Sequence, residues 1–332
     1  MGSWKHNAMA GAMMALVCHA ANGAPSIQSS QAVLKALYCE EDCRYIGFAA
    51  GNHSSNTTLE ELERFLHATA KHDSAFKYVL VEGPSDFRDA FLAASLGAIS
   101  RDEFDDRVDP AYQKALMANP QWAFVCTELL ETIQEINRAR PDKPVLLIPI
   151  DSLDKNKFDE DLRQIKARYP WPFSSSLNRE RETANIVLDI VNQDPNARGA
   201  IFYHQGHLLK NLKRTGFNLD DESRFSGREM THSNWVGSVS EAQPKFLKGL
   251  RVVLFNEADP TFNPDGTIDL EKLTGQRIGR LEGILMKNLP DQLNSPNEVF
   301  LETSYFRRIK PVIFPEDSKD VVDAIVNCPP ED

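Results

Sequence analysis

The sequence predicts an α/β domain with a central, mainly parallel sheet and helices on both faces. Three observations predict it. Short apolar runs without polar alternation recur along the chain, as expected of strands covered on both sides. Amphipathic helical stretches separate them, giving the alternation typical of crossover connections. Most of these runs stop at a glycine or an ionisable residue, at the end where open α/β sheets bind their ligands.

Tyr45–Ala49 is the first buried run. Thr58–Ala70 follows as a helix: a threonine caps it, Glu60 and Glu61 fill its first turn, and Leu59, Leu62, Phe65 and Leu66 recur at helical spacing. Lys77–Glu82 is the next strand, closed by Gly83-Pro84, after which Ser85 is placed to cap a helix bearing Phe87, Phe91 and Leu92. Gln121–Ala139 is a longer amphipathic helix, and Lys143–Ile150 a strand ending at Asp151. Asn178–Val191 is a helix with Ile186, Val187 and Ile190 inward, and Ala200–Tyr203 a strand. From Thr215 to Gln243 periodicity fades, so residues 215–246 are expected as a long surface excursion, a lid or substrate loop. Arg251–Phe255 resumes the sheet, and Asn297–Leu301 is a candidate last strand. The length admits one enlarged domain or two smaller ones. The chain is read as one enlarged domain over 31–315, preceded by an N-terminal segment (1–30) and followed by a C-terminal tail (316–332).

Of 332 residues, 42% are hydrophobic and 26% charged, an ordinary globular balance. The net charge of -11 disfavours nucleic acid and anionic membrane as partners. No apolar run reaches the roughly 18 residues of a membrane span. The five cysteines lack disulfide-framework and C-x-x-C spacing, although Cys39 and Cys43 are close enough to bridge. Met1-Gly2-Ser3 resembles a tag remnant, and Ala8–Ala21 is either a degraded secretion signal or an ordinary first helix.

Two histidine turns stand out, Gly51-Asn52-His53 after the first strand and His204-Gln205-Gly206-His207 after Ala200–Tyr203. With Glu82 and Asp151 they put imidazoles and carboxylates at the ends of four separate strands, which a parallel sheet gathers on one edge. Two imidazoles and a carboxylate (His53, Glu82, His207) suit a divalent metal with an open position for water. The same groups serve equally without metal, one histidine acting as general base oriented by Glu82. Asp151 either joins this set or caps the segment after it. Arg179, in Asn178-Arg179-Glu180-Arg181-Glu182, is placed to hold an anionic group; the alternative for this run is a solvated first helical turn. The serine-hydrolase elbow, both nucleotide-binding glycine motifs and the H-E-x-x-H helix are absent.

In order and approximate spacing, these motifs resemble the superfamily of erythromycin-esterase-like, ChaN-like and Tiki/TraB-like proteins, a domain also found in bacterial toxins and effectors. The resemblance is carried by Ala50-Gly51-Asn52-His53, Val79-Leu80-Val81-Glu82-Gly83, Arg179-Glu180-Arg181-Glu182-Thr183-Ala184 and Gly206-His207-Leu208, over about Tyr45 to Lys213. The chain departs from it before His53, where Ala50 and Gly51 stand in place of an acidic residue. The resemblance implies a hydrolase of small-molecule or peptide substrates, esterase-like or metalloprotease-like, with His53, Glu82, Arg179 and His207 catalytic. It also suggests a secreted bacterial effector or toxin. Its non-enzymatic alternative is a protein binding haem through Tyr203 or His204, or binding a host protein, on the same scaffold.

Overall fold

Alternate residues of each long strand bury against opposite helical layers. In β2 (Tyr45–Ala50), Ile46, Phe48 and Ala50 enter one core cluster, while Tyr45 and Ala49 enter the other. β5 (Arg198–His204) does the same with Ala200 and Phe202 against Ile201 and Tyr203. This is the period-two geometry of a strand, with both faces covered. It explains why the strand runs are apolar throughout.

The structure is a computed structural model and describes residues 26–51, 56–108, 120–151, 175–211, 213–216, 230–257, 268–289, 312–313 and 320–329. The other elements are β1 (Gln28–Ser29), α1 (Ser30–Tyr38), α2 (Asn56–Thr69), β3 (Phe76–Pro84), α3 (Arg88–Ser95), α4 (Arg101–Arg107), α5 (Pro120–Ala139), β4 (Leu146–Asp151) and α6 (Ser175–Gln193). They continue with α7 (Gln205–Leu208), β6 (Lys213–Gly216), β7 (Met230–Ser233), α8 (Trp235–Ala242), α9 (Pro244–Gly249), β8 (Leu250–Asn256), α10 (Leu270–Thr274), β9 (Glu282–Leu285), β10 (Val312–Ile313) and β11 (Ala324–Asn327).

An eight-stranded sheet runs in the order β1-β9-β11-β8-β2-β5-β3-β4, parallel from β11 to β4 and antiparallel where β9 meets β11 and β1. Moving from β2 to β3 and β4, the chain advances towards one edge, and buried residues of α1 to α5 cover one face. From β4 it returns through β5 to β8 and β11, and those of α6 to α10 cover the other. A right-handed crossover reverses faces when the direction of advance reverses, so the layering follows from the strand order. The connection after β2 therefore leaves towards one face, and those after its neighbours β5 and β8 towards the other. In open α/β sheets such a reversal is where ligands bind, here beside the carboxyl end of β2.

Three expectations need correction. Residues 316–332 are not simply a tail: they supply β11, inside the sheet between β8 and β9. Its Ala324-Ile325-Val326-Asn327 run is short, and only pairing with two neighbours makes it a strand. Within 215–246, the described residues are regular rather than looped. β6, β7 and β10 form a three-stranded sheet, and Trp235, Val236 and Val239 of α8 are fully buried. Ser85 does not cap a helix, because a 3-10 turn over Ser85–Phe87 precedes α3. Cys39 and Cys43 are both free thiols. Asn297–Leu301 lies outside the described residues.

At the amino edge one ionic cluster joins three elements. Asp73 accepts hydrogen bonds from the Tyr38 hydroxyl (2.6 Å), the Ala75 N–H (2.8 Å) and the Arg198 guanidinium (3.0 Å). The Arg198 guanidinium also lies over the Tyr38 ring, 3.7 Å from its centroid. Burial would raise the Asp73 carboxyl, but the bonds from Tyr38, Ala75 and Arg198 outweigh it and hold the group below the ordinary carboxylate value. A depressed folded-state value stabilises the protein above the unfolded value, and that stability disappears as pH falls through the folded one. Asp73→Asn should therefore lower the urea midpoint at neutral pH. The gap from the parent protein should narrow progressively as the solution is acidified below the ordinary carboxylate range. Two glycines offer a second check. A Cβ on Gly199 would sit 2.4 Å from the Tyr78 carbonyl oxygen, whereas one on Gly47 would meet only side-chain atoms, the nearest at 3.2 Å. Gly199→Ala should cost about 2–3 kcal/mol and Gly47→Ala distinctly less, measured by denaturant unfolding.

Candidate functional site

Register brings the carboxyl ends of the central strands together. Ala50 at the end of β2 pairs with His204 of β5 on one side and Phe255 of β8 on the other. Gly51 then passes so close to β8 that a Cβ would stand 2.6 Å from the Phe255 carbonyl oxygen and 2.9 Å from the Glu257 nitrogen, so only glycine fits. The Gly51 carbonyl accepts a hydrogen bond from the Gln205 side-chain amide at 3.3 Å, which ties the chain leaving β2 to the first residue of α7.

Glu82 lies where β3 slips out of register with β4, between Val81 and Pro84. Such irregularities re-aim a side chain at a strand end. Its carboxylate is 6% exposed, and Oε2 accepts the His204 backbone N–H at 2.8 Å. His204 then turns the chain into α7: its own Nδ1 accepts the Gly206 N–H at 3.3 Å, as a cap does. Because Nδ1 accepts, the His204 ring in this state carries its proton on Nε2.

His207 is held differently. Its Nδ1 hydrogen-bonds Oε1 of Glu180, from α6, and the other oxygen, Oε2, accepts the Trp235 N–H at the start of α8 at 2.7 Å. Glu180 is 2% exposed, and a carboxylate so buried is tolerable because both oxygens have donors. The arrangement fixes the His207 tautomer: Nδ1–H donates to Glu180, leaving the Nε2 lone pair to accept a proton or bind a metal. Tyr203 packs its ring edge-on to His207 with centroids 5.6 Å apart, and the His204 and His207 rings lie 6.1 Å apart. Glu82, His204, His207 and Glu180 thus form one continuous cluster. His207 keeps 12% side-chain exposure, whereas His204 is nearly closed off, so His207 is the imidazole that reaches outward.

Asp151 ends β4 opposite Pro84 and is fully buried. Tyr203 is 1% exposed, its ring between His207 and Trp235. His53 and the Arg179 side chain lie outside the described residues. Among the described residues, no group of three His, Cys, Asp or Glu side chains is arranged to hold a metal. Glu82 and His207 are the members of the predicted set that can be placed here, and Oε2 of the first and Nδ1 of the second already bond protein groups.

Two carboxylates escaped the sequence reading. Glu180 lies in the charged run for which a solvated first turn is the alternative reading, yet it shares a buried helical stripe with Thr183, Ala184, Val187 and Ile190. That three-and-four spacing is legible, and it put an acid on an apolar face. Glu257, just past β8, is 5% exposed and accepts the Thr58 hydroxyl at 2.9 Å. No apolar pattern distinguished it. Cys328 is buried, which raises its thiol far above the ordinary value, and the charges of Glu257 and Glu61 raise it further.

No family model and no curated protein sequence matches the chain. Its fold is that of the erythromycin esterases. A mutant of the erythromycin esterase EreC in its open conformation superposes with a TM-score of 0.57 at 10% identity, covering 91% of this chain and 97% of that one. A succinoglycan biosynthesis protein (TM-score 0.43, 11% identity, 89% of each chain) and the type III effector HopBA1 (0.35, 11%, 94% of this chain and 100% of that one) overlap more loosely.

Glu82→Ala leaves the buried His204 N–H without its carboxylate and should cost about 1–3 kcal/mol in urea unfolding. Glu82→Gln keeps an oxygen acceptor and should cost less than half as much.

Proposed function

We propose that the chain is a hydrolase that cleaves esters by general-base activation of water, with His207 as the base and Glu180 as the residue that orients it. The observation that carries this reading is the His207–Glu180 pair, set at the carboxyl edge of the sheet with Nδ1 bound and Nε2 left to react. The fold shared with an erythromycin esterase supports an ester as the substrate class.

In this mechanism a water molecule between Nε2 and the ester carbonyl gives its proton to His207 as its oxygen attacks the carbon. Glu180 stabilises the resulting imidazolium without taking up its proton. The tetrahedral adduct then collapses, the carbon–oxygen bond to the leaving group breaks, and the departing alkoxide recovers the proton from Nε2. Acid and alcohol are released, and the enzyme returns to its starting state. Arg179 is the proposed partner of the developing oxyanion. Glu82 supports the site through the His204 backbone, because that is where its Oε2 is bonded. Haem ligation has weaker support, since Tyr203, one of its two proposed ligands, is packed between two other rings.

The test is hydrolysis of p-nitrophenyl butyrate and of erythromycin by the parent protein, His207→Ala and Glu180→Gln. Glu180→Gln offers an amide to Nδ1 and favours the wrong tautomer, so kcat should fall on the order of 10³-fold with the fold intact. His207→Ala should fall at least as far. Parent-level turnover in both variants would refute the proposal. One equivalent of divalent metal, present in the parent protein and lost in His207→Ala by elemental analysis, would reassign Nε2 as a metal ligand.

A further inference from the structure

We infer that Asn234 is a positioning residue for the His207–Glu180 pair: it clips the chain leaving α7 to the start of α8, and so sets the imidazole and the carboxylate at bonding distance. The inference deepens the reading above and depends on it only where activity is measured.

Asn234 is fully buried, and both ends of its side-chain amide are used. Oδ1 accepts the Gly237 N–H at 2.9 Å, capping α8, and Nδ2 donates to the Leu209 carbonyl at 2.7 Å. Leu209 is two residues beyond His207, and Asn234 is immediately before Trp235. The side chain therefore bridges the element that carries the base and the N–H that holds Oε2 of Glu180.

The position matters because the chain leaves the site and returns to it at this point. Between Leu209 and Asn234 it runs out through β6 and back through β7, which pair with each other in the small three-stranded sheet. The two legs of this arm already pair at Lys213 and Ser233, and the clip carries that tie one step inward, to the segments that bear His207 and Trp235 and that also meet through Glu180 and the ring of Tyr203. The Leu209 leg is already pinned from the opposite side: the Lys210 N–H bonds the Val321 carbonyl at 3.0 Å, and the Lys210 ammonium bonds Asp323 at 2.8 Å. Asn234 transmits that fixed position to α8. A cap alone would be served by Ser, Thr or Asp. A hydroxyl donates and accepts through one atom, whereas the amide puts its acceptor on the helix and its donor on the neighbouring carbonyl through two.

Asn234→Ser separates the two functions. The hydroxyl still caps Gly237 but cannot span to Leu209 while doing so. Asn234→Asp keeps the cap and faces a carboxylate oxygen to the carbonyl, a harsher version of the same change. The readouts are the far-downfield Nδ1 proton of His207 by nuclear magnetic resonance, and the division between kcat and KM for p-nitrophenyl butyrate. Ser240→Ala, which removes a hydroxyl bond to the Val236 carbonyl on the same helix, is the control. The expected result is a shifted or broadened Nδ1 resonance in Asn234→Ser, with kcat down about tenfold at unchanged KM, and a parent-like control. An Nδ1 resonance unchanged in Asn234→Ser, or an equal change in Ser240→Ala, overturns the inference. If the parent protein does not hydrolyse the ester, the functional proposal fails and the Nδ1 resonance still decides the role of Asn234.

Discussion

Glu180 is the contact on which the site depends. Its two oxygens answer to different parts of the chain: one to the imidazole that follows β5, the other to the first N–H of α8. A carboxylate this deeply buried is costly unless its lone pairs are matched, so its presence on the apolar face of α6 constrains everything around it. α6 must lie against both α7 and α8, and α8 must present its N-terminus, where the helix dipole also favours a negative charge. His207 must turn Nδ1 towards α6 to meet this carboxylate.

The sheet makes this possible by reversing direction. The chain covers one face on its way to β4 and the other on its way back, so the connection leaving β2 departs oppositely to those leaving β5 and β8. β2 lies between those two strands, and Gly51, pressed against the Phe255 and Glu257 backbone, lets it end beside both. The carboxylates gathered here have distinct duties. Glu82 accepts a main-chain N–H at the end of β5, Glu257 a threonine hydroxyl on α2, and Glu180 an imidazole. Of these three bonds, only the last leaves a titratable ring with a second nitrogen for chemistry.

Much of this was legible in the sequence because it is written in local pattern. Apolar runs marked β2, β3, β4, β5 and β8, since strands covered on both faces tolerate little else. Helical spacing marked α2, α5 and α6 to within a few residues at each end. His207 and Glu82 were singled out because polar residues at the ends of apolar strands need a reason. What escaped depends on tertiary pairing. β11 is a four-residue strand defined by its neighbours, and α8 is short, follows directly from β7 and draws its stability from burying Trp235. The carboxylate beside His207 was sought in Glu82, the strand-end acid, and the structure places Glu180 there. The charged run around Glu180 masked its place on the buried stripe.

The exchange of roles between Glu82 and Glu180 has a geometric cause. β3 and β5 are adjacent parallel strands, so a side chain at the end of β3 most readily meets the backbone at the end of β5, and Glu82 does so at His204. To reach an imidazole three residues further on, inside the next turn, a carboxylate must come from the layer that packs on that turn. α6 is that layer: it crosses from β4 back to β5 on the face where α7 and α8 settle. A strand-end carboxylate is suited to fixing the main chain of a neighbouring strand, and a helix carboxylate to fixing a side chain that rises from the sheet. The division of labour at this site follows from those two reaches.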